Sequence, residues 1–164
     1  MEEGEVELWK KLEGRIEKER RKEEEKERED REKREEQVRR ERRRRNLEWS
    51  GIEGDSFEER CRLLKLMLER LLGRKVEVRR VEERVEEGGK RMLLVIMEKE
   101  EDRDEILEKR GEIRRRWRME VDEDLTREER KMKWRIKERV RLERGRGKRV
   151  VFDSRGLWIE GREW

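Results

Sequence analysis

The chain has 164 residues, of which 60% are charged and 29% hydrophobic, and its formal net charge is +4 at pH 7. Because so few apolar residues can build only a small core, we expect one domain of ordinary size and a charged extension. No run of about 18 apolar residues could span a membrane, and the acidic start MEEGEVELW is unlike a secretory signal. These features predict an intracellular protein with no membrane partner.

The residue types that are missing limit the chemistry. The chain has no histidine and a single cysteine, Cys61, which excludes His-based acid–base pairs, Cys/His nucleophiles and zinc ligation. Cys61 lies on the apolar face of a predicted helix, so we expect it to be buried by packing. The segment GRGKR has the spacing of neither a Walker loop nor a dinucleotide-binding turn. The sequence therefore predicts no enzymatic activity, no cofactor and no small-molecule substrate.

Residues 1–45 are predicted to form a charged helix. Val38 is the only aliphatic residue in 17–45, but acid–base pairs four residues apart, such as Glu17 with Arg21, each stabilise a helix by about 0.2–0.5 kcal/mol. At about 1.5 Å per residue, this charged part alone should be about 40 Å long.

An apolar stripe exists only at the start of this helix. Trp9, Leu12 and Ile16 follow the three-and-four spacing of an amphipathic helix for about two turns. The heptad positions beyond Ile16 are polar or charged, so a long hydrophobic seam is not present. A weak coiled coil, and with it a homo-oligomer through this helix, is left open.

Residues 46–122 show the pattern of a mixed domain. Its strongest local signal is a capping box, Ser56 with Glu59, that starts an apolar helix ending at Gly73. The predicted elements are a strand at 46–52, that helix, a strand around Val76 and Val78, a strand at Met92–Met97, a helix at Asp102–Arg110 and a strand carrying Trp117, Met119 and Val121. This order is typical of the ferredoxin-like split arrangement that RRM domains use.

The sheet face of this domain lacks the residues that usually bind bases. An RRM carries exposed aromatic side chains on its two central strands, on which unpaired bases stack. Here Leu47, Glu48 and Trp49 place an acid at the stacking position, and the strand RMLLVI at 91–96 is aliphatic. We expect this face to be covered by protein, in particular by the C-terminal helix.

Residues 123–164 predict a basic helix followed by a hairpin. Thr126 and Glu129 form a second capping box, and Met132, Ile136 and Val140 share one helix face. Glycines at 145 and 147 end the helix within a basic run. The three acids at 122–124 fit the dipole of this helix better than they fit a metal site.

The motif DLTREER, the basic helix, RGRGKRV and LWIEG together resemble the C-terminal domain of LINE-type first-open-reading-frame proteins of non-LTR retrotransposons. The resemblance implies an α+β protein with a coiled coil at 1–45, an RRM-like domain at 46–122 and a basic domain at 123–164. It also implies a chaperone that coats the RNA of the element, in a cytoplasmic or nuclear ribonucleoprotein.

Positive charge flanks the central domain. Residues 37–45 hold 6 basic residues and 1 acidic residue, and residues 112–164 hold 18 and 12. Arginine suits phosphate binding because its planar fork binds in a bidentate way and also stacks on bases. The predicted nucleic-acid-binding residues are Arg42, Arg43, Arg44, Arg45, Arg115, Arg116, Arg118, Arg135, Arg139, Arg141, Arg144, Arg146, Lys148 and Arg149.

Two competing causes of these cations stay open: a solvated face paired with glutamates, or a purine-biased coding strand that enriches Lys, Arg and Glu. Trp134 and Trp158 could pack in the C-terminal core or stack on bases, and we expect packing. The sequence favours a single-stranded RNA- or DNA-binding protein with annealing activity. The alternative is a scaffolding protein with a rigid charged helix and a protein-binding domain.

Overall fold

The computed structural model describes residues 2–153 and 156–164. The chain is α+β, as predicted, and it divides into two compact units, Met1–Arg39 and Arg40–Trp164. Its elements are α1 (Glu3–Arg43), β1 (Asn46–Ser50), α2 (Phe57–Leu72), β2 (Val78–Val85), β3 (Arg91–Met97), α3 (Glu100–Glu108), α4 (Arg110–Trp117), β4 (Glu120–Glu123), α5 (Arg127–Gly145), β5 (Val150–Phe152), β6 (Leu157–Ile159) and β7 (Arg162–Glu163).

The first unit consists of a helix that ion pairs support. None of the 41 residues of α1 is buried, so its stability comes from local interactions. The carboxylate of Glu17 lies 2.8 Å from the Arg20 guanidinium and 3.3 Å from that of Arg21. The hydrogen bond from Arg20, together with the charges of both arginines, holds the pKa of Glu17 below its ordinary value. The apolar residues Trp9 and Ile16 are exposed on this helix.

In the second unit a four-stranded antiparallel sheet has the order β2-β3-β1-β4. Leu47 and Trp49 of the central strand β1 have no exposed surface, and they pack in one core with Leu64 and Leu68 of α2. Truncating a buried leucine of this kind to alanine typically costs about 2–5 kcal/mol. The central strands therefore anchor the unit.

Helix α2 begins and ends where the sequence predicts, but its predicted capping box is only half formed, because the Glu59 carboxylate accepts from the Asp55 amide. The Ser56 side chain accepts a hydrogen bond from the Glu59 amide, and Gly73 ends the helix with a positive φ of 71°. The expectation that Cys61 is buried is wrong in degree, because the side chain is only partly buried. Arg60 takes a buried position on this face and donates to the Gly54 carbonyl, so Cys61 lies at the margin. Burial still raises the pKa of the Cys61 thiol.

The segment before β4 is helical, which corrects the predicted fourth strand. The alternation of Trp117, Met119 and Val121 predicts a strand, but Trp117 is the last residue of α4. The buried side chain of Ile113 holds α4 on the core, and Trp117 packs there one turn later. Arg118 then ends α4 with a positive φ of 55°, so only residues from Glu120 onward pair with β1.

The C-terminal helix α5 has the predicted capping box, with both hydrogen bonds formed between Thr126 and Glu129. Ile136 and Val140 pack with Leu157 in a second, small core. Met132 lies one turn before Ile136 on the same face, as predicted, but its side chain is exposed and outside the cluster. The buried face extends toward the C-terminus instead.

The predicted hairpin is present and has a third strand. β5, β6 and β7 form an antiparallel sheet in that order. Glu160 and Gly161 connect β6 to β7 with φ values of 51° and 78°. Two successive residues with positive φ match the type I′ turn that suits a two-residue hairpin loop.

We expect Thr126→Ala to lower the free energy of unfolding by about 1–2 kcal/mol, because the amide of Glu129 would lose its acceptor at the start of α5. Urea denaturation followed by circular dichroism measures the change. Thr126→Ser keeps the hydroxyl and should retain most of the stability. Equal losses for the two variants would contradict the assigned role of the cap.

Candidate nucleic-acid interface

The outer face of the four-stranded sheet is closed to bases. In register, Glu48 of β1 lies between Leu94 of β3 and Asp122 of β4. Met92 and Leu94 point to this face and are nevertheless buried. Across the described strands β1–β4, no outer-face side chain is aromatic, so the sheet offers no stacking platform.

Two cations of the C-terminal helix act on acidic residues of this face. Lys133 of α5 lies 3.7 Å from the Asp122 carboxylate. Burial and the neighbouring Asp124 raise the pKa of Glu48, and the charge of Arg130 on α5 partly opposes that rise. The face is thus buried at Met92 and Leu94 and acidic at Glu48 and Asp122, which is unfavourable for phosphate.

The acids immediately before α5 have side-chain partners within the fold. Asp124 accepts a hydrogen bond of 2.9 Å from the Asn46 amide, with both residues buried. Glu123 lies 3.5 Å from the Arg103 guanidinium. In the part of the chain that the structure describes, no group of three His, Cys, Asp or Glu side chains could hold a metal ion.

The first predicted basic group, Arg42–Arg45, connects α1 to β1. Arg43 turns inward and donates a hydrogen bond of 3.0 Å to the Leu125 carbonyl. Arg44 forms an exposed ion pair of 3.1 Å with Glu100. These two cations therefore contribute to the fold as well as to the surface charge.

Arg42 and Arg45 are exposed and lie at a small groove that Arg79 of β2 also lines. Arg79 is held by a bidentate pair with Glu98, both distances being 3.0 Å. Arg79 is not among the residues that the sequence predicts for this site, because it is far from the basic run along the chain and only strand pairing brings it close.

The second group lies on helix α4 and its C-cap. Arg115 donates a hydrogen bond of 3.3 Å to the Gly111 carbonyl, and Arg116 pairs with Glu112 at 3.2 Å. Arg118 is exposed. The helix turns the three guanidinium groups outward instead of alternating them across a sheet.

The third basic group lies on α5 and in the turn that follows it, and three of its cations surround a single buried carboxylate. Glu143 has no exposed surface, and its oxygens lie 2.9 Å from Arg139, 3.3 Å from Arg146 and 3.2 Å from Lys148. Burial alone would raise the pKa of Glu143, but the hydrogen bond from Lys148 and the charges of all three cations outweigh it, so the pKa is lowered. Three cations around one anion leave two positive charges uncompensated.

The other cations of α5 are exposed to different degrees. Arg141 pairs with Glu138 at 3.0 Å and remains 80% exposed. The guanidinium of Arg144 lies over the ring of Phe152, 5.3 Å from its centroid. A cation above an aromatic face keeps its full charge and is available to an anion.

The fourteen predicted residues therefore fall into two sets. Within residues 2–153 and 156–164, ion-pair partners exist for Arg44, Arg116, Arg139, Arg141, Arg146 and Lys148. No carboxylate of the described chain lies at ion-pair distance from the guanidinium groups of Arg42, Arg43, Arg45, Arg115, Arg118, Arg135, Arg144 or Arg149. The positive charges of the second set have no internal counter-charge, so an external anion would neutralise them.

The sequence predicts packing for two of the tryptophans in this part of the fold. The expectation that Trp134 packs is wrong, because its side chain is 65% exposed. The helical geometry explains the exposure of Trp134, since it lies two residues before the buried Ile136 and is therefore rotated by about 200° around the helix axis. Trp158 is partly buried, as expected, and its ring lies against Gly156.

No protein-family model matches this chain, and no curated protein sequence matches it either. Among the helices that the structure describes, none has the length and apolar character needed to cross a membrane.

We expect Glu143→Gln to destabilise the second unit at neutral pH, because three cations would lose their common anion. A carboxylate with a lowered pKa stabilises the fold above its ordinary value of 4.5, and this stabilisation disappears as the pH falls through the lowered value. Thermal unfolding from pH 7 down to pH 3 should therefore show the variant and the original chain converging in acid.

The matched control for this experiment is Glu138→Gln, which removes an exposed carboxylate earlier on α5. Its effect should stay within about 0.5 kcal/mol at every pH. A constant difference between Glu143→Gln and the original chain over the whole pH range would contradict the electrostatic role of Glu143.

Proposed function

We propose that this chain is a single-stranded nucleic-acid-binding and annealing protein that holds RNA or DNA mainly through phosphate contacts, with low sequence specificity. The observation that carries the proposal is the set of seven exposed arginines, which are the eight without the inward-turned Arg43, whose guanidinium groups have no carboxylate at ion-pair distance among the described residues. Exposed guanidinium groups with no internal anion bind phosphate with little desolvation of an existing pair.

The paired cations support the same proposal. Arg139, Arg146 and Lys148 share one carboxylate and are each partly exposed, so their common site remains positive. Glu143 fixes their positions, which reduces the entropy lost when a phosphate binds. Annealing would follow when cations screen the phosphates of two strands and let the strands exchange partners.

Low sequence specificity follows from the lack of aromatic side chains on the outer face of the described strands β1–β4. In an RRM this face reads bases, but here Met92 and Leu94 are buried on it and Glu48 lies opposite Leu94. Base-edge recognition by the sheet is therefore not part of the proposal. Phosphate contacts carry no sequence information.

The order of elements supports a more detailed proposal, that residues 46–122 form an RRM-like domain. The strand order β2-β3-β1-β4, with α2 between β1 and β2 and the α3–α4 pair between β3 and β4, is that of the split βαββαβ arrangement. Together with the C-terminal motif, it supports membership of the LINE-type first-open-reading-frame proteins.

A scaffolding role is the second candidate, and one feature favours it. Trp9, Leu12 and Ile16 are exposed on α1, a helix of 41 residues with no buried residue. Such a stripe could bind another protein, or pair with a second copy of the chain. The scaffolding candidate predicts that the chain is not retained on nucleic acid at moderate salt.

To test phosphate binding, unpartnered arginines are replaced by glutamine and single-stranded RNA is titrated at several salt concentrations. Each lost phosphate contact should reduce the slope of log K against log salt by about 0.7. The residues to replace are Arg42, Arg45, Arg118 and Arg149.

The control replaces the same number of exposed cations outside the three basic groups. These are Arg62, Lys65, Arg70 and Lys75. The control should keep the original slope, because it lowers the total charge by the same amount but removes no proposed phosphate contact. An affinity of the original chain that does not depend on salt would reject the proposed mechanism.

A further inference from the structure

An open groove of about 780 Å³ lies along α5 on the side away from the small C-terminal core. Trp134 and Trp164 line it together with Leu142. We propose that this groove binds an unpaired base of a single strand, stacked on Trp134, while the surrounding arginines hold the flanking phosphates. The inference rests on the proposed function and adds to it a site for the base.

Trp134 is unusually exposed for a tryptophan. A tryptophan side chain can bury about 150 Å² or more and is usually packed, yet this one is 65% exposed and lies outside the cluster of Ile136, Val140 and Leu157. The small core is complete without it. A large aromatic side chain left on the surface beside other apolar residues is typical of a binding site.

Trp164 is held in position at the groove. Its backbone amide donates a hydrogen bond of 2.8 Å to the Leu157 carbonyl, which attaches it to the sheet. Its ring is 53% exposed and lies 5.9 Å from the guanidinium of Arg139. Since Arg139 is also held by Glu143, the ring is oriented by a cation that is itself fixed.

The side chains that line the groove carry a net positive charge. Its lining contains four arginines and one glutamate, which are Arg135, Arg139, Arg141, Arg146 and Glu138. Glu138 is paired with Arg141, so the remaining positive charge calls for an anionic ligand. A nucleotide combines an anion with a flat aromatic ring. An acidic peptide would use the charges but leave the exposed indole faces without a partner.

The groove supplies what the four-stranded sheet lacks. No aromatic side chain occupies the outer face of the described strands β1–β4, whereas Trp134 on α5 presents one beside phosphate-binding arginines. Stacking is tolerant of sequence because every base has a π face. A stacking site is therefore compatible with low specificity and would make the protein prefer single strands to duplexes.

The test compares a short oligothymidylate with an abasic oligonucleotide of the same length and charge. The original chain should bind the base-containing strand more tightly. Trp134→Ala should weaken binding of oligothymidylate about tenfold and leave binding of the abasic strand unchanged. Quenching of tryptophan fluorescence should accompany binding of oligothymidylate to the original chain and decrease in the variant.

Two further variants separate stacking from general damage. Trp134→Phe retains an aromatic face and should keep most of the preference for oligothymidylate. Leu66→Ala removes an exposed apolar side chain of α2, outside the groove, and should leave the affinity for both strands unchanged. Unchanged thermal unfolding would show that Trp134→Ala is folded.

The outcomes distinguish this inference from the proposed function. If the original chain binds both strands equally, or if Trp134→Ala weakens both equally, the stacking site is wrong and phosphate binding stands. If a glutamate-rich peptide displaces oligothymidylate in a way that depends on Trp134, the groove is a peptide site. If neither oligonucleotide binds, the proposed function fails and the stacking site with it.

Discussion

The burial of β1 between β3 and β4 is the interaction on which the second unit depends. Leu47 and Trp49 have no exposed surface, and their strand also leads directly from the first basic group. Asn46, at its start, donates to Asp124, and Arg43 donates to the Leu125 carbonyl. Pairing of β1 therefore brings the basic residues before it close to the start of the basic helix α5. Without this central strand, the two groups would be far apart in a charged chain.

Segregation of charge follows from the scarcity of apolar residues. The apolar side chains are concentrated in 46–122, because a sheet and its packed helices need a contiguous core. The excess of basic residues then lies on both sides, and the carboxylates there neutralise only part of it. Glu143 illustrates the limit, since it is surrounded by three cations and has no exposed surface of its own. The same arrangement that stabilises the C-terminal helix leaves its surface positive.

Local signals predict much of the fold. Ser56 and Thr126 start helices as expected, because a capping hydroxyl acts on an amide only three residues away. The strand predicted at Trp117 is wrong, because alternation over a few residues also fits helical spacing. Ile113 is buried four residues before Trp117, which is the spacing of one helical turn. The expectation of packing for Trp134 is wrong as well, although its position relative to Ile136 already places it on the opposite side of the helix. Because the sequence predicts packing for Trp134, it does not predict the groove that the arginines of α5 line.

The sequence by itself determined the α+β class, the long charged helix, the N-caps of α2 and α5 and the concentration of cations in the C-terminal part. These features depend on residues close together along the chain, so composition and spacing suffice. Helical spacing also accounts for the ion pairs whose carboxylate lies three or four residues away, which are those of Arg116, Arg139, Arg141 and Arg146. Only the tertiary structure decided which of the other cations are neutralised. The guanidinium of Arg44 meets Glu100, whereas that of Arg149 meets no carboxylate of the described chain. Such pairing depends on contacts between distant segments, and local spacing does not encode those contacts.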